Sequence, residues 1–174
     1  MARSGLSGLS NVHPLFMLCR MNEEEFLSTS KPGQLLARGV SRHLLTHDFV
    51  SIEEFVPDRG LRVDVIGLGP KGEVWIVECK SSRSDFYADN KWQGYLDWCD
   101  RYFWAVDDGF PTELLPSDTG LIIADSYDAE IVRMGPEVRL APARRKVLTA
   151  RFARNAALRL QAGRDPNFMR LTSR

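Results

Sequence analysis

Two apolar runs joined by a tight turn constrain this chain more than any other feature. Leu61–Leu68 (LRVDVIGL) and Glu73–Lys80 (EVWIVECK) flank Gly69-Pro70-Lys71-Gly72. Short runs rich in Val and Ile, separated by a glycine-bounded turn, predict an antiparallel hairpin. Alternate residues of a strand share a face. Val74, Ile76, Glu78 and Lys80 therefore fall on one face, and Trp75, Val77 and Cys79 on the other. A solvent face would be polar along its whole length. This one is apolar first and charged at its end, which predicts a central strand whose charges emerge where it leaves the core. The first run repeats the pattern, with Asp64 set between Arg62 and Ile66 opposite the Leu61, Val63, Val65 face.

The rest of the chain supplies layers for that hairpin. Ser30-Lys31-Pro32-Gly33 reads as a helix entry with Ser30 as cap, and the helix runs over 34–46 with Leu35, Leu36, Val40, Leu44 and Leu45 as its apolar stripe. A strand is expected over 49–56, and a mostly helical segment over 86–101, broken near Asn90. Further strands are expected over 102–106, 120–124 and 129–134, then a long helix over 141–162, stopped by Gly163 and Pro166. The order is α, β, β, β, α, β, β, β, α, an α/β fold with a mixed sheet flanked by helices. At 174 residues the chain suits one domain. The expected division is a flexible N-terminal tail over 1–30, the domain over 31–165 and a C-terminal tail over 166–174. Glu23–Glu25 read as a solvated helix start, and Met21 is a candidate start of translation.

Charge is distributed unevenly under a net value of zero. Residues 1–138 hold 13 Lys and Arg against 22 Asp and Glu, whereas residues 139–174 hold 10 basic residues and one acid. So basic an end meets either a polyanion or the acidic body of its own chain. Cys19, Cys79 and Cys99 show no zinc-type spacing and their number is odd, so a reducing cytoplasm is the expected setting. Cys79 and Cys99 read as core thiols. His43 and His47 can share a helix face, but no third ligand is near them. No apolar run is long enough to span a membrane.

If the hairpin has the right register, Asp64 lies near Glu78 with Lys80 beside them. Two carboxylates held together out of water repel each other and call for a cation. Lys80 leaves the trio net negative, and a divalent metal would complete it. Mg²⁺ takes oxygen ligands, commonly one or two carboxylates with waters and a phosphate oxygen. The carbonyl of Cys79, between the two side chains, is a further candidate ligand. A plain ion pair of Lys80 with Asp64 or Glu78 is the other reading.

Arg62-Val63-Asp64 followed across the turn by Glu78-Cys79-Lys80 resembles the PD-(D/E)XK nuclease-like superfamily. ECKSSRSDFYADNKWQGYLDWCDRYFWAV is similar to the MmcB-type bacterial DNA-repair proteins, and the likeness covers roughly residues 32–159. It implies a restriction-endonuclease-like fold, with an αβββαβ core plus extra strands and a C-terminal helix. It also implies a DNA phosphodiesterase site in which Asp64 and Glu78 hold Mg²⁺, or Mn²⁺ in its place. Lys80 would orient the attacking water or stabilise charge on the phosphate. DNA is the implied partner, and a homodimer is the implied assembly. The superfamily also contains members that bind without cutting, so an inactive DNA-binding or scaffold protein is the alternative. In this chain Val63 stands where a proline is usual, and residues 34–46 lack the acid that many members carry on the first helix. Glu53 or Glu54 can substitute for it, or be merely solvated.

Around the trio, Ser81, Ser82 and Arg83 suit phosphate contacts, together with Arg62. Ser84 or Asp85 can instead cap the next helix. Lys91, Trp92 and Tyr95 combine a cation with aromatic faces that can stack bases or pack inward, while Trp98, Phe103 and Trp104 are expected against the sheet. Asp100-Arg101 reads as a local ion pair. On the last helix Leu148, Phe152, Ala153, Ala156, Ala157 and Leu160 gather on one side and Arg144, Arg151 and Arg154 on another. That basic face suits a nucleic-acid backbone or the acidic body of this chain.

Overall fold

A computed structural model describes residues 22–89 and 91–165. Its elements are helix α1 (Glu23–Thr29), α2 (Pro32–Thr46), strands β1 (Val50–Phe55), β2 (Val63–Leu68) and β3 (Val74–Cys79), α3 (Arg83–Ala88), a 3₁₀ helix (Trp92–Trp98), β4 (Arg101–Val106), a 3₁₀ turn (Thr112–Leu114), β5 (Gly120–Ala124), β6 (Ala129–Arg133) and α4 (Pro142–Arg164). All six strands form one sheet in the order β1-β2-β3-β4-β5-β6. The β1-β2 and β2-β3 pairs are antiparallel, β3-β4 and β4-β5 parallel, and β5-β6 antiparallel. The sheet is mixed and lies between helices, as the sequence predicts.

Each face of the sheet carries its own core. On one, Leu36, Ala37, Val40 and Leu44 of α2 pack on Val65, Val77, Phe103 and Ile122. On the other, Ile66, Ile76, Tyr102 and Trp104 lie beneath Tyr95 and beneath Leu148 and Phe152 of α4, with Phe86 of α3 packed against them. Gly39 seats α2 against the β5–β6 turn. A Cβ there would lie 2.1 Å from the Asp125 carbonyl oxygen, a distance only glycine avoids.

Several expectations need correction. Residues 22–30, read from the sequence as part of a loose tail, hold α1, whose N-terminus is capped by Asn22 accepting from the Glu25 N–H at 2.8 Å. Residues 1–21 and 166–174 lie outside the described residues, as do Asn90, where the helical break is expected, and Cys19. The cap of α2 is Lys31, not Ser30, and its N–H donates to Gln34 Oε1 at 2.9 Å. Leu45 of the α2 stripe is exposed. Arg101 leaves the helical segment and opens β4. Helix α4 continues through Gly163 to Arg164 and buries only Leu148, Phe152 and Ala162, while Leu160 faces solvent. A narrow contact suffices because α4 is also tied down by arginines. The foremost is Arg145, whose guanidinium grips Asp100 through contacts of 2.8 and 2.6 Å. Asp100 also accepts from the backbone N–H of Val74 and of Leu140, so it pairs with α4 rather than with Arg101, which instead meets Glu137 at 2.7 Å.

Candidate active site

The β2–β3 register sets Ile66 opposite Ile76 and Val65 opposite Val77, and just beyond this ladder Asp64 and Glu78 come together through side-chain–backbone hydrogen bonds. Their contact is reciprocal. The Asp64 backbone N–H donates to Glu78 Oε1 at 3.1 Å, and the Cys79 N–H donates to Asp64 Oδ2 at 2.8 Å. Glu78 is 3% and Lys80 5% exposed, so both charged groups are buried. Burial, then the charge of Asp64, pushes the Glu78 carboxyl up to about 9. Burial likewise raises Asp64, against the lowering effect of the Cys79 N–H. This is the signature of carboxyls crowded in low dielectric.

Lys80 is held mainly by a residue that the sequence reading missed. Its Nζ donates to Asp89 Oδ2 at 2.6 Å and lies 3.8 Å from Glu78 Oε2, with the Trp104 ring 5.7 Å away. Burial works against the lysine's charge, but the Asp89 hydrogen bond and carboxylate more than offset it and its pKa is raised. Asp89 is lowered by Lys80 and by the backbone N–H groups of Lys91 and Trp92, despite its burial. The one signal for Asp89 in the sequence is its place at the end of a short helix after Lys80. Only the docking of that helix brings it back.

These groups open into a cleft of ≈ 820 Å³ lined by α2's entry, the end of β1 and the ends of β2 and β3. Glu53, Glu54 and Arg62 line it too. Glu54 has φ of 53°, a left-handed conformation rare for a residue with a Cβ, and it falls in the gap between the pairs Glu53–Val65 and Phe55–Val63. This left-handed kink, which leaves the strand register unshifted, lets two consecutive residues of one strand share the cleft. Glu54 meets Arg62 at 2.9 Å, and burial raises the Glu53 carboxyl.

The structure places the remaining predicted residues as follows. Ser81 lines the cleft, and its N–H lies 3.4 Å from Asp85 Oδ2. Ser82, expected on phosphate, is the N-cap of α3 and accepts from the Asp85 N–H at 3.2 Å; neither Ser84 nor Asp85 is the cap. The side chains of Arg83, Lys91 and Arg154 make no hydrogen bond or ion pair among the described residues. Trp92 packs on Tyr102 and Trp104 at 5.7 and 5.6 Å instead of offering a free face. Tyr95 is buried, and its hydroxyl donates to the Arg62 carbonyl at 3.0 Å. Arg144 donates to the Asp97 carbonyl at 2.9 Å, and Arg151 reaches the Pro57 carbonyl and Asp58. Both flank the Trp98 ring, so this part of α4 is committed to the chain's own body. The rings of His43 and His47 lie 4.8 Å apart, tilted by 60°. Cys79 and Cys99 are free and buried.

Among the described residues, no group of three or more His, Cys, Asp or Glu is arranged as a metal site. The pair Asp64 and Glu78 still has the chemistry that a hard cation selects. Each carboxylate commits one oxygen to a backbone N–H. The second oxygen of Asp64 makes no hydrogen bond or ion pair among the described residues and that of Glu78 has only the Lys80 ammonium at 3.8 Å, and Mg²⁺ commonly takes only one or two protein carboxylates. The donor set fits such an ion. None of the helices among the described residues is long and apolar enough to cross a membrane.

Comparison with known proteins agrees with this architecture. The family model described as DNA repair protein MmcB-like matches residues 25–167. A solved structure of a protein of unknown function from Silicibacter pomeroyi is 73% identical; the match covers 80% of this chain and 95% of that one, with a TM-score of 0.79. No curated protein matches the chain.

Proposed function

The chain belongs to the MmcB-like DNA repair family, and from that premise we propose that it is a metal-dependent phosphodiesterase acting on DNA, with a PD-(D/E)XK-like site. The observation that carries this reading is the meeting of Asp64 and Glu78 at the neighbouring ends of adjacent strands, with the Lys80 ammonium 3.8 Å from Glu78. Two carboxylates crowded in this way persist where a cation or a proton is part of the working state.

Asp64 and Glu78 would hold Mg²⁺ or Mn²⁺. Such an ion, when bound, supplies Lewis acidity at a phosphate oxygen and lowers the pKa of a water. The chain's own part is orientation and charge. Lys80 presents a fixed cation at the mouth of the carboxylate pair, where negative charge develops on the phosphate. Arg62 and Ser81 line the same cleft and suit backbone phosphates, and Arg83 and Lys91 stand exposed on the following segment. Trp92 and Tyr95 serve the fold, Trp92 by packing and Tyr95 by fixing the backbone of Arg62.

A non-cutting DNA-binding or scaffold protein of the same fold is the second reading. It is favoured by the lack of a third side-chain ligand among the described residues. Incubation of the purified protein with single-stranded, duplex, branched and damaged DNA, in Mg²⁺, Mn²⁺ or EDTA, separates the two. Metal-dependent cleavage lost in Asp64→Ala and Lys80→Ala supports the phosphodiesterase. Salt-sensitive binding without cleavage, indifferent to Lys80→Ala, supports the second reading.

A further inference from the structure

Lys80 is, among the described residues, the one buried cation at the carboxylate pair, and its place is set from outside the hairpin. Ser82 caps α3, which is only six residues long. Phe86 of α3 packs edge-on against Trp104 at 5.4 Å, and this docks the helix on β4. Asp89 ends α3, its N–H donating to the Phe86 carbonyl at 3.1 Å. The helix thus returns Asp89 to Lys80 after nine residues. Asp89 is itself fixed, since its Oδ1 accepts from the Lys91 N–H at 2.9 Å while Oδ2 takes the ammonium at 2.6 Å.

The alternative home of that ammonium is clear. A buried lysine held only by two crowded carboxylates would sit between them and neutralise the pair. Here its nearest partner is Asp89, and its ion pair with Glu78 is the longer one. Lys80 is 2.6 Å from Asp89, 3.8 Å from Glu78, and makes no ion pair with Asp64 among the described residues. We propose that Asp89 is the positioning residue for Lys80: by anchoring the ammonium it holds it at 3.8 Å from Glu78 and off Asp64, so that a divalent cation can meet both carboxylates. The inference rests on the metal-dependent reading of the site. It adds a residue outside the Asp, Glu-x-Lys pattern, acting through Lys80 and not on the cation itself.

The test is titration of Mn²⁺ into the metal-free full chain by calorimetry. Asp89→Asn frees the ammonium to move onto Glu78 and Asp64, and the affinity is expected to fall about ten- to a hundredfold, the range typical for outer-shell partners. Asp89→Glu, which restores the anion, regains most of it. The Asn side chain keeps an oxygen for the Lys91 N–H. Asp89→Ser is a second neutral variant with the same expectation, and thermal melts monitor folding for both. In a Lys80→Met background there is no ammonium to move, so Asp89→Asn adds no further loss. Wild-type Mn²⁺ affinity in folded Asp89→Asn and Asp89→Ser overturns the proposal. So does an equal loss in the Lys80→Met background, which would show Asp89 acting by its own charge. Cleavage is scored separately. The expected Mn²⁺ pattern without any DNA cleavage leaves the positioning role standing and removes the phosphodiesterase. A wild-type chain that takes up no Mn²⁺ removes both.

Discussion

Asp64 and Glu78 are locked to each other through the backbone: the N–H of residue 64 binds the Glu78 carboxylate at 3.1 Å, and the Asp64 carboxylate binds the N–H of residue 79 at 2.8 Å. The two side chains cannot separate without giving up these side-chain–backbone hydrogen bonds just beyond the hairpin ladder. Repulsion between them is therefore relieved by a proton or a cation, and not by movement.

That relief gives a pH dependence with a definite sign. The Glu78 carboxyl lies at about 9 in the folded chain, far above its ordinary value of 4.5, through burial and the Asp64 charge. A raised acid binds more protons folded than unfolded, so stability falls as pH rises from about 4.5 to about 9. Thermal melts of metal-free protein should show this decline, and Glu78→Gln should flatten it. Below that window Asp89 and Asp100, whose carboxyls are lowered, lose their own contribution as they protonate. Mn²⁺ uptake near neutral pH should release about one proton, read from calorimetry in buffers of different ionisation enthalpy.

Removal of the cation at the same place is expected to be severe. Lys80→Ala leaves Asp89 and Glu78 buried without their partner, and breaking a buried pair in this way costs about 3–5 kcal/mol. Chemical denaturation should show a lowered midpoint with an unchanged slope.

Asp100→Ala should destabilise by a similar amount, about 3–5 kcal/mol, for a different reason. It strands Arg145 and removes the acceptor of the Val74 and Leu140 N–H groups, so β3, the 134–140 segment and α4 come loose together. Mn²⁺ affinity of the folded fraction should stay at the wild-type value, because Asp100 sits at the opposite end of β3 from Glu78.

Nucleic-acid contact should follow which arginines are already engaged. Arg83→Ala and Arg154→Ala should each weaken DNA binding across all sequences and reduce the salt slope by about one, measured by fluorescence anisotropy over a salt series. Arg144→Ala and Arg151→Ala should leave DNA binding unchanged and cost less than about 1 kcal/mol of stability, since both spend their charge on exposed partners of the same chain.

Gly39→Ala should be poorly tolerated although alanine favours helices. The added methyl would sit 2.1 Å from the Asp125 and 2.6 Å from the Asp128 carbonyl oxygens, so α2 must retreat from the β5–β6 turn. A drop in melting temperature without loss of helical signal at low temperature would register this.

The fold was legible where the sequence has strict periods. Alternation along residues 61–80 indicated the hairpin and the two faces of β3, because register in a short-turn hairpin is a local matter, but not those of β2, where Leu61 and Val63 turn to one core and Val65 to the other. Caps were harder, since Ser30, Ser82 and Ser84 are chemically equal candidates, and the backbone that chooses among them is shaped by packing. Long-range side-chain partners were not legible at all. Asp89 reaches Lys80, and Arg145 reaches Asp100 across 45 residues, only because α3 and α4 dock on the sheet. The basic face of the last helix showed the opposite failure. Its charge was plain in the sequence, but not that Arg144 and Arg151 were already taken.

One property of the sheet reaches into how the protein is made. Its six strands lie side by side in the order in which they emerge during synthesis. Each newcomer joins its predecessor by closing only the intervening loop, and that entropy grows slowly with loop length. Asp64 and Glu78 belong to the second and third arrivals. The chain order therefore places both carboxylates ahead of α3 and of the Asp89 that anchors Lys80.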